Sequence, residues 1–201
     1  SGTITGTETW AGVHTLTGDV TIAPGAKLII NPGATIEFPN GTHLDVRGSL
    51  CAGVASCGAS SNAGPAMRIN LRWSEPVNAS AIGECYGMSY GNQEIWIEDP
   101  SCGEGILMRS SIDLAETGLR YVTFDSAWGI PQYISAVGEF RYGALVLDGA
   151  SPTLTELSFN QINTSSVLTT NLAQPVFNGG DFAVGIDANT GIVGAALQIY
   201  S

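Results

Sequence analysis

A repeat of eight residues runs through positions 20–46 and restricts the folds open to this chain more than any other feature. Three kinds of position recur at this step: a glycine, an apolar residue three positions later, and a second apolar residue two positions after that. They are Gly25, Gly33 and Gly41; Leu28, Ile36 and Leu44; and Ile30, Phe38 and Val46. A unit this short has room for one strand and one turn.

Within each unit the apolar residues alternate with other residues, which is typical of a strand with one buried face. Pro-Gly or Asn-Gly separates the strands and predicts a tight turn. Three such sides make a circuit of about 24 residues, in which each strand pairs in parallel with the strand one circuit later. Val20 would then stack on Leu44, and Ile22 on Val46. We therefore predict an all-β chain that forms a single right-handed parallel β-helix.

The rest of the chain carries the pattern with looser spacing. The segments LRYVTF (119–124) and LTELSF (154–159) align at an offset of 35, which exceeds one circuit and requires a loop excursion between them. We predict one domain over 1–201, with an N-terminal strand or cap at 1–18, a disulfide-bearing excursion at 75–104 and a second excursion at 125–143. Further core strands are predicted at 67–73, 105–110, 143–149 and 182–186.

The stretches GDVTIAPGAKLIINPGATIEF and LDVRGSL (18–50), with LRYVTFDSA and GALVLDGASPTLTELSF, resemble the right-handed parallel β-helix repeat proteins of the pectin-lyase-like superfold. The likeness is greatest to secreted or surface-attached members. Hydrolases of that group carry Asn-Thr-Asp, Asp-Asp, Gly-His-Gly and Arg-Ile-Lys motifs, and this sequence has none of them. The resemblance thus implies the architecture but does not determine the function, because this superfold serves many functions. The absence of the hydrolase motifs favours a non-catalytic member.

The formal net charge is −11 and Lys27 is the one lysine. Such a charge argues against nucleic acid and anionic membranes as partners. No stretch has the length and apolarity of a membrane span, so we expect no membrane insertion. We also expect no cofactor, with calcium as the one candidate ion.

Four cysteines predict disulfides and an oxidising compartment, either extracellular or at the cell surface. Three connectivities are open to them. Their spacing favours two local bridges, Cys51–Cys57 and Cys85–Cys102, each closing an irregular loop. Glycosylation acceptor tripeptides begin at Asn40, Asn78 and Asn163.

Two sets of residues are candidates for ligand binding. Trp96 and Trp128 lie in the two predicted excursions, where aromatic faces would stack on sugars or pack the loops onto the core. Glu94, Glu98, Asp99 and Glu104 concentrate oxygen ligands of the kind calcium takes, although the alternative is a solvated acidic loop closed by a disulfide.

Both ends of a β-helix leave backbone groups unpaired. At one end Thr3, Thr5, Thr7 and Thr9 lie on one side of a predicted strand, Thr3–Thr9. At the other, the strand Gly194–Tyr200 is apolar and includes Leu197, Ile199 and Tyr200. We expect self-association through these strands. The favoured function is a non-catalytic extracellular structural or adhesive module that assembles head-to-tail into filaments. A polysaccharide-active lyase or hydrolase and a carbohydrate-binding module, with glycans as partners, are the alternatives.

Overall fold

A computed structural model describes residues 1–74, 103–162, 164–182 and 196–200, together with the backbone of 88–90 and 93–95. The described chain is all-β apart from three short 3-10 helices at Ala55–Cys57, Pro65–Met67 and Leu114–Glu116. Its strands are β1 (Gly2–Ile4), β2 (Thr7–Trp10), β3 (Val13–Thr15), β4 (Val20–Ile22), β5 (Lys27–Ile30), β6 (Thr35–Phe38), β7 (His43–Val46), β8 (Ser49–Ala52), β9 (Ile69–Trp73), β10 (Met88–Tyr90), β11 (Gln93–Ile95), β12 (Gly105–Arg109), β13 (Gly118–Arg120), β14 (Val122–Asp125), β15 (Ile130–Ile134), β16 (Glu139–Asp148), β17 (Thr153–Asn160), β18 (Ser165–Thr170), β19 (Val176–Asp181) and β20 (Leu197–Ile199).

Two sheets of parallel strands contain nearly all of these elements. In the first sheet the order is β1-β4-β7-β12-β16-β18-β20, and β15 is added antiparallel to β16. The second sheet runs β2-β5-β8-β13-β17-β14-β9-β6-β3, and β19 also pairs with β17. Each circuit of the chain adds one strand to the first sheet and then one or two strands to the second, which is compatible with a β-helix. A separate antiparallel pair, β10–β11, lies within the predicted first excursion.

The register that the eight-residue repeat predicts is confirmed. Val20 lies opposite Leu44 and Ile22 opposite Val46 in the first sheet. The offset of 35 is also confirmed, because Leu119 pairs with Leu154, and a second pair at this offset joins Phe124 to Phe159.

Tight turns connect the strands at the repeating glycines. Gly25, Gly33 and Gly41 have φ values of 78°, 79° and 74°, in the left-handed region that glycine adopts without strain. This conformation turns the chain from one strand to the next within the four residues between them. The repeat therefore records the positions of the corners as well as the strands.

Inward-facing side chains of successive circuits stack into a continuous apolar core. One column is aromatic: Phe38 stacks on Trp73 with ring centroids 4.5 Å apart, and Phe124 stacks on Phe159 at 4.7 Å. The column continues to Phe182, whose ring centroid is 5.5 Å from that of Phe159. Because the strands are in register, equivalent positions place like side chains directly above one another.

The disulfide Cys51–Cys57 is confirmed. It closes a loop that contains the 3-10 helix Ala55–Cys57 and covers Ile29, an outward residue of β5 that is only 9% exposed. The predicted bridge Cys85–Cys102 lies outside the described residues.

A hairpin of β15 and β16 occupies the predicted second excursion. It folds back onto the outer side of the first sheet, where Ile130 packs against Leu107, Val146 and Leu168. The core segment that begins at Gly143 is the second half of the ten-residue strand β16. In this part of the chain the outer face of the sheet is thus apolar and covered.

Candidate functional site

A groove of about 650 Å³ lies along one edge of the second sheet. It follows the carboxyl ends of strands β3, β6, β9 and β14, so that each circuit contributes to its wall. The lining side chains are mainly polar or charged and include Thr15, Glu37, Arg72, Ser74, Asp125, Ser126 and Gln161.

The floor of this groove is a ladder of outward side chains in register. Thr15 lies opposite Glu37, Glu37 opposite Arg72, and Arg72 opposite Asp125. The Thr15 hydroxyl donates a hydrogen bond to Glu37 Oε2 at 2.8 Å, and Arg72 Nε lies 3.5 Å from Asp125 Oδ2. The Arg72 side chain is 58% exposed, so its remaining donors face solvent.

This arrangement favours binding of a polar ligand over hydrolysis by two carboxylates. Glu37 and Asp125 stand two strands apart, about 10 Å between their backbones. Paired carboxylates in glycoside hydrolases are about 5–9.5 Å apart and leave the space between them to substrate or water. Here the Arg72 guanidinium lies in that space and forms an ion pair with one of the two.

A second charged network crosses the first sheet, and the sequence analysis did not identify it. Asp45 accepts hydrogen bonds from Arg47 Nη2 at 2.7 Å and from Arg109 Nε at 3.2 Å. Arg109 Nη1 also lies 3.3 Å from Asp148 Oδ2. The strand register could have indicated this ion pair, because Arg109 and Asp148 lie opposite each other on adjacent strands. The network leaves Asp45 only 5% exposed and fully partnered, as a structural element would be.

Glu104 is buried, at 1% exposure, and so is not part of a solvated loop. Its carboxylate accepts hydrogen bonds from the backbone N–H of Gly41 at 2.8 Å and of Trp128 at 3.0 Å. Burial raises the pKa of Glu104 to about 7, and the two backbone hydrogen bonds oppose that shift. Glu104 thereby joins the turn after β6 to the segment before β15.

In the part of the chain that the structure describes, no further side chains join Glu104 to form the predicted calcium site. Both Glu104 oxygens already accept hydrogen bonds, and no group of three metal-ligating side chains occurs among the described residues. Glu94 lies in β11, where only the backbone is described, and Glu98 and Asp99 lie outside the described residues.

Of the two tryptophans predicted to stack on sugars, the structure describes one, Trp128. Trp128 is half-buried beside Glu104 and does not line the groove, and Trp96 lies outside the described residues. The tryptophan at the groove is Trp73, which is 3% exposed and donates its Nε1 hydrogen to the Thr42 carbonyl at 2.7 Å. Its role is therefore in the core.

One predicted glycosylation site falls within the described chain. Asn40 is half-buried in the turn between β6 and β7, and the hydroxyl of Thr42 in the same tripeptide donates to the Pro39 carbonyl at 2.6 Å. Asn78 and Asn163 lie outside the described residues. Glycosylation stays a prediction at all three.

The predicted single strand Thr3–Thr9 is wrong. The chain bends at Thr5 and Gly6, so that β1 joins the first sheet and β2 the second. A glycine after a three-residue strand marks another corner of the circuit. The threonines are nonetheless all exposed: Thr3, Thr5, Thr7 and Thr9.

The predicted strand Gly194–Tyr200 is described from residue 196 and contains β20, which pairs with β18. Ile199 is 68% and Leu197 is 41% exposed. Tyr200 packs against the apolar cluster under the hairpin, and its hydroxyl accepts a hydrogen bond from Arg141 Nε at 2.9 Å.

No family model, curated protein or solved structure matches this chain. Among the described residues, no helix has the length and apolarity to cross a membrane.

Proposed function

We propose that this chain is a non-catalytic extracellular module, structural or adhesive, built as a single right-handed parallel β-helix of the pectin-lyase-like superfold. We further propose that its two ends join other copies head-to-tail and so form filaments. In such a filament the β-helix of each copy would extend along the filament axis, and its outward faces would be the surfaces for adhesion.

The observation that carries this proposal is the continuity of the inward columns up to the last strand of the first sheet. Two columns run through all seven of its parallel strands. They consist of Gly2, Val20, Leu44, Ile106, Leu145, Val167 and Leu197, and of Ile4, Ile22, Val46, Met108, Leu147, Thr169 and Ile199.

Ile22, in the interior of its column, has 0% exposure, whereas Ile199 at the end of the same column has 68%. Ile199 occupies a core position that this end of the stack leaves uncovered. Strand addition at an open end of a sheet satisfies backbone hydrogen bonds and continues the buried columns into a second copy.

Two observations support the remaining parts of the proposal. The disulfide Cys51–Cys57 fits an oxidising compartment, which is extracellular for an exported protein. The groove carboxylates Glu37 and Asp125 each have a partner, a hydroxyl and a guanidinium, as expected for a structural or binding surface.

Light scattering and electron microscopy over a concentration series test the assembly. We expect the particle mass to rise with concentration and the particles to lie end to end.

A turnover screen on acidic polysaccharides, with and without calcium, tests the absence of catalysis. We expect no turnover. Turnover that Glu37→Gln or Asp125→Asn abolishes would replace this proposal with a polysaccharide-active enzyme.

The groove favours carbohydrate binding as a second candidate function. Each strand of its ladder contributes one hydroxyl, carboxylate or guanidinium group, and such groups can hydrogen-bond sugar hydroxyls. A glycan array would compare the wild type with Arg72→Ala, Trp96→Ala and Trp128→Ala, with the exposed Thr7→Ala as the control. Loss of a signal in Arg72→Ala alone would assign the binding to the groove, and loss in the tryptophan variants would assign it to the excursions.

A further inference from the structure

The two ends of the stack differ in the number of strands that they present. At the N-terminal end the first circuit supplies β1 to the first sheet, and β2 and β3 to the second. At the C-terminal end, among the described residues, the last strand of the second sheet is β19, and the first sheet then has β20 on β18. The first sheet is thus one strand ahead of the second.

This step determines how a second copy can stack. If the incoming β1 paired with β20, then a gap one strand wide, about 4.8 Å, would separate the incoming β2 from β19. If the incoming β2 and β3 paired with β19, the incoming β1 would need the edge of β18, which β20 now occupies. Only the second arrangement leaves no gap in either sheet.

The side chains of the two ends fit the second arrangement. Extending the register of the second sheet places the incoming Trp10 over Phe177 and the incoming Thr9 beside Val176. At the N-terminal end Trp10 and His14 form a stacked aromatic pair with centroids 5.4 Å apart. At the C-terminal end the rings of Phe177 and Phe182 lie 5.6 Å apart, edge to face. The contact would therefore bring two aromatic pairs together.

Strands β1 and β20 are also alike in pattern. Gly2-Thr3-Ile4 and Leu197-Gln198-Ile199 each place a polar residue outward between two inward positions and end in isoleucine. Either strand can thus satisfy the same edge of β18.

We infer that β20 is a removable cap, and that the partner it excludes is the N-terminal edge of a second copy of this chain. This inference rests on the proposed head-to-tail assembly. It adds the contact surface between the copies and the strand that blocks that surface. The cap is short. Three residues of β20 pair with β18, and the Ala196 carbonyl accepts a hydrogen bond from the Val167 N–H at 3.3 Å. Tyr200 adds two contacts: its N–H donates to the Thr169 carbonyl at 2.9 Å, and its hydroxyl accepts from Arg141 Nε at 2.9 Å.

The test compares the intact chain with a variant that lacks residues 196–201 and with the full-length variant Tyr200→Pro, which removes both of those contacts. Tyr200→Phe keeps the backbone donor and the ring and removes only the hydrogen bond from Arg141, so it separates that contact from the backbone pairing. Light scattering measures the particle mass of each variant. The buffer contains 0.15 M salt, which reduces the repulsion between the acidic copies. Circular dichroism confirms that each variant is folded. We expect the truncated chain and Tyr200→Pro to assemble at a concentration at least tenfold lower than the intact chain, and Tyr200→Phe to assemble at a concentration between the two.

Introduced cysteine pairs then determine the register. Facing residues on neighbouring strands are within the distance a disulfide spans. Thr9→Cys with Val176→Cys in one truncated chain should give a ladder of cross-linked copies on oxidation. The unsubstituted chain and each single variant, oxidised in parallel, should give no ladder.

The outcomes separate the two proposals. Cross-linking of an intact chain that carries Thr3→Cys and Gln198→Cys would show that β1 stacks on β20 and would overturn the cap, while the head-to-tail assembly would stand. Equal assembly of the intact and truncated chains would also overturn the cap. Monomers of both chains at all concentrations would overturn the cap and the assembly together.

Discussion

The buried carboxyl group of Glu104 predicts a loss of stability as pH rises. Glu104 is 1% exposed, and its burial raises its pKa in the folded protein from the usual 4.5 to about 7. Because the folded protein binds this proton more tightly than the unfolded chain, the group stabilises the fold below pH 4.5. That contribution is lost as pH rises through 7.

The size of the effect follows from the shift of the pKa. One pKa unit corresponds to about 1.4 kcal/mol, so a shift from 4.5 to about 7 gives about 3 kcal/mol between the two limits. A typical domain has a free energy of unfolding of about 5–15 kcal/mol, so this one carboxyl group should be visible in a denaturation curve.

The assay is urea denaturation at several pH values from 4 to 9, followed by circular dichroism. Glu104→Gln is the control, because glutamine does not titrate and the other groups titrate alike in both proteins. Its amide NH2 would face one of the two backbone donors, so we expect it to be less stable than the wild type at pH 4. The difference in unfolding free energy should fall by about 3 kcal/mol between pH 4 and pH 9. A difference that stays constant over this range would refute the argument.

Three further substitutions test the packing of the stack by denaturation. Replacing both cysteines of the Cys51–Cys57 bridge with alanine should cost about 2 kcal/mol, because the loop it closes is short; unchanged stability would contradict this. Phe124→Ala removes a fully buried ring and should cost about 3–5 kcal/mol, and Phe124→Leu clearly less. Gly48→Ala places a Cβ 2.3 Å from two backbone carbonyl oxygens and should cost about 1–3 kcal/mol, whereas Gly6→Ala, in open space, should not.

The eight-residue repeat was sufficient to predict the strands and register of residues 20–46, because each unit combines a period-two strand with a glycine corner. The offset of 35 likewise identified the pairing of Leu119 with Leu154 across an excursion. In these regions the pattern is local and is repeated by neighbouring strands. A single strand fits the inside of such a stack in only one register.

The features that the sequence analysis missed depend on contacts between distant segments. Nothing near Glu104 in the sequence indicates that Gly41 and Trp128 bring their backbone N–H groups to it. The groove ladder combines Glu37, Arg72 and Asp125 from three circuits of unequal length. The corner at Gly6 was missed because alternating threonines run through it without a break in polarity.

The distance between the two ends of the first sheet tests the central claim, a single continuous stack, most directly. Thr3 in β1 and Gln198 in β20 lie in the same outward column, separated by six strand-to-strand steps. At about 4.8 Å a step, their Cα atoms should be about 29 Å apart. Pulsed electron spin resonance on a chain labelled at Thr3→Cys and Gln198→Cys, with the unsubstituted chain as the labelling control, measures this distance. We predict one narrow distribution near 29 Å, allowing for the length of the labels. A broad distribution, or one centred beyond about 45 Å, would contradict a single stack.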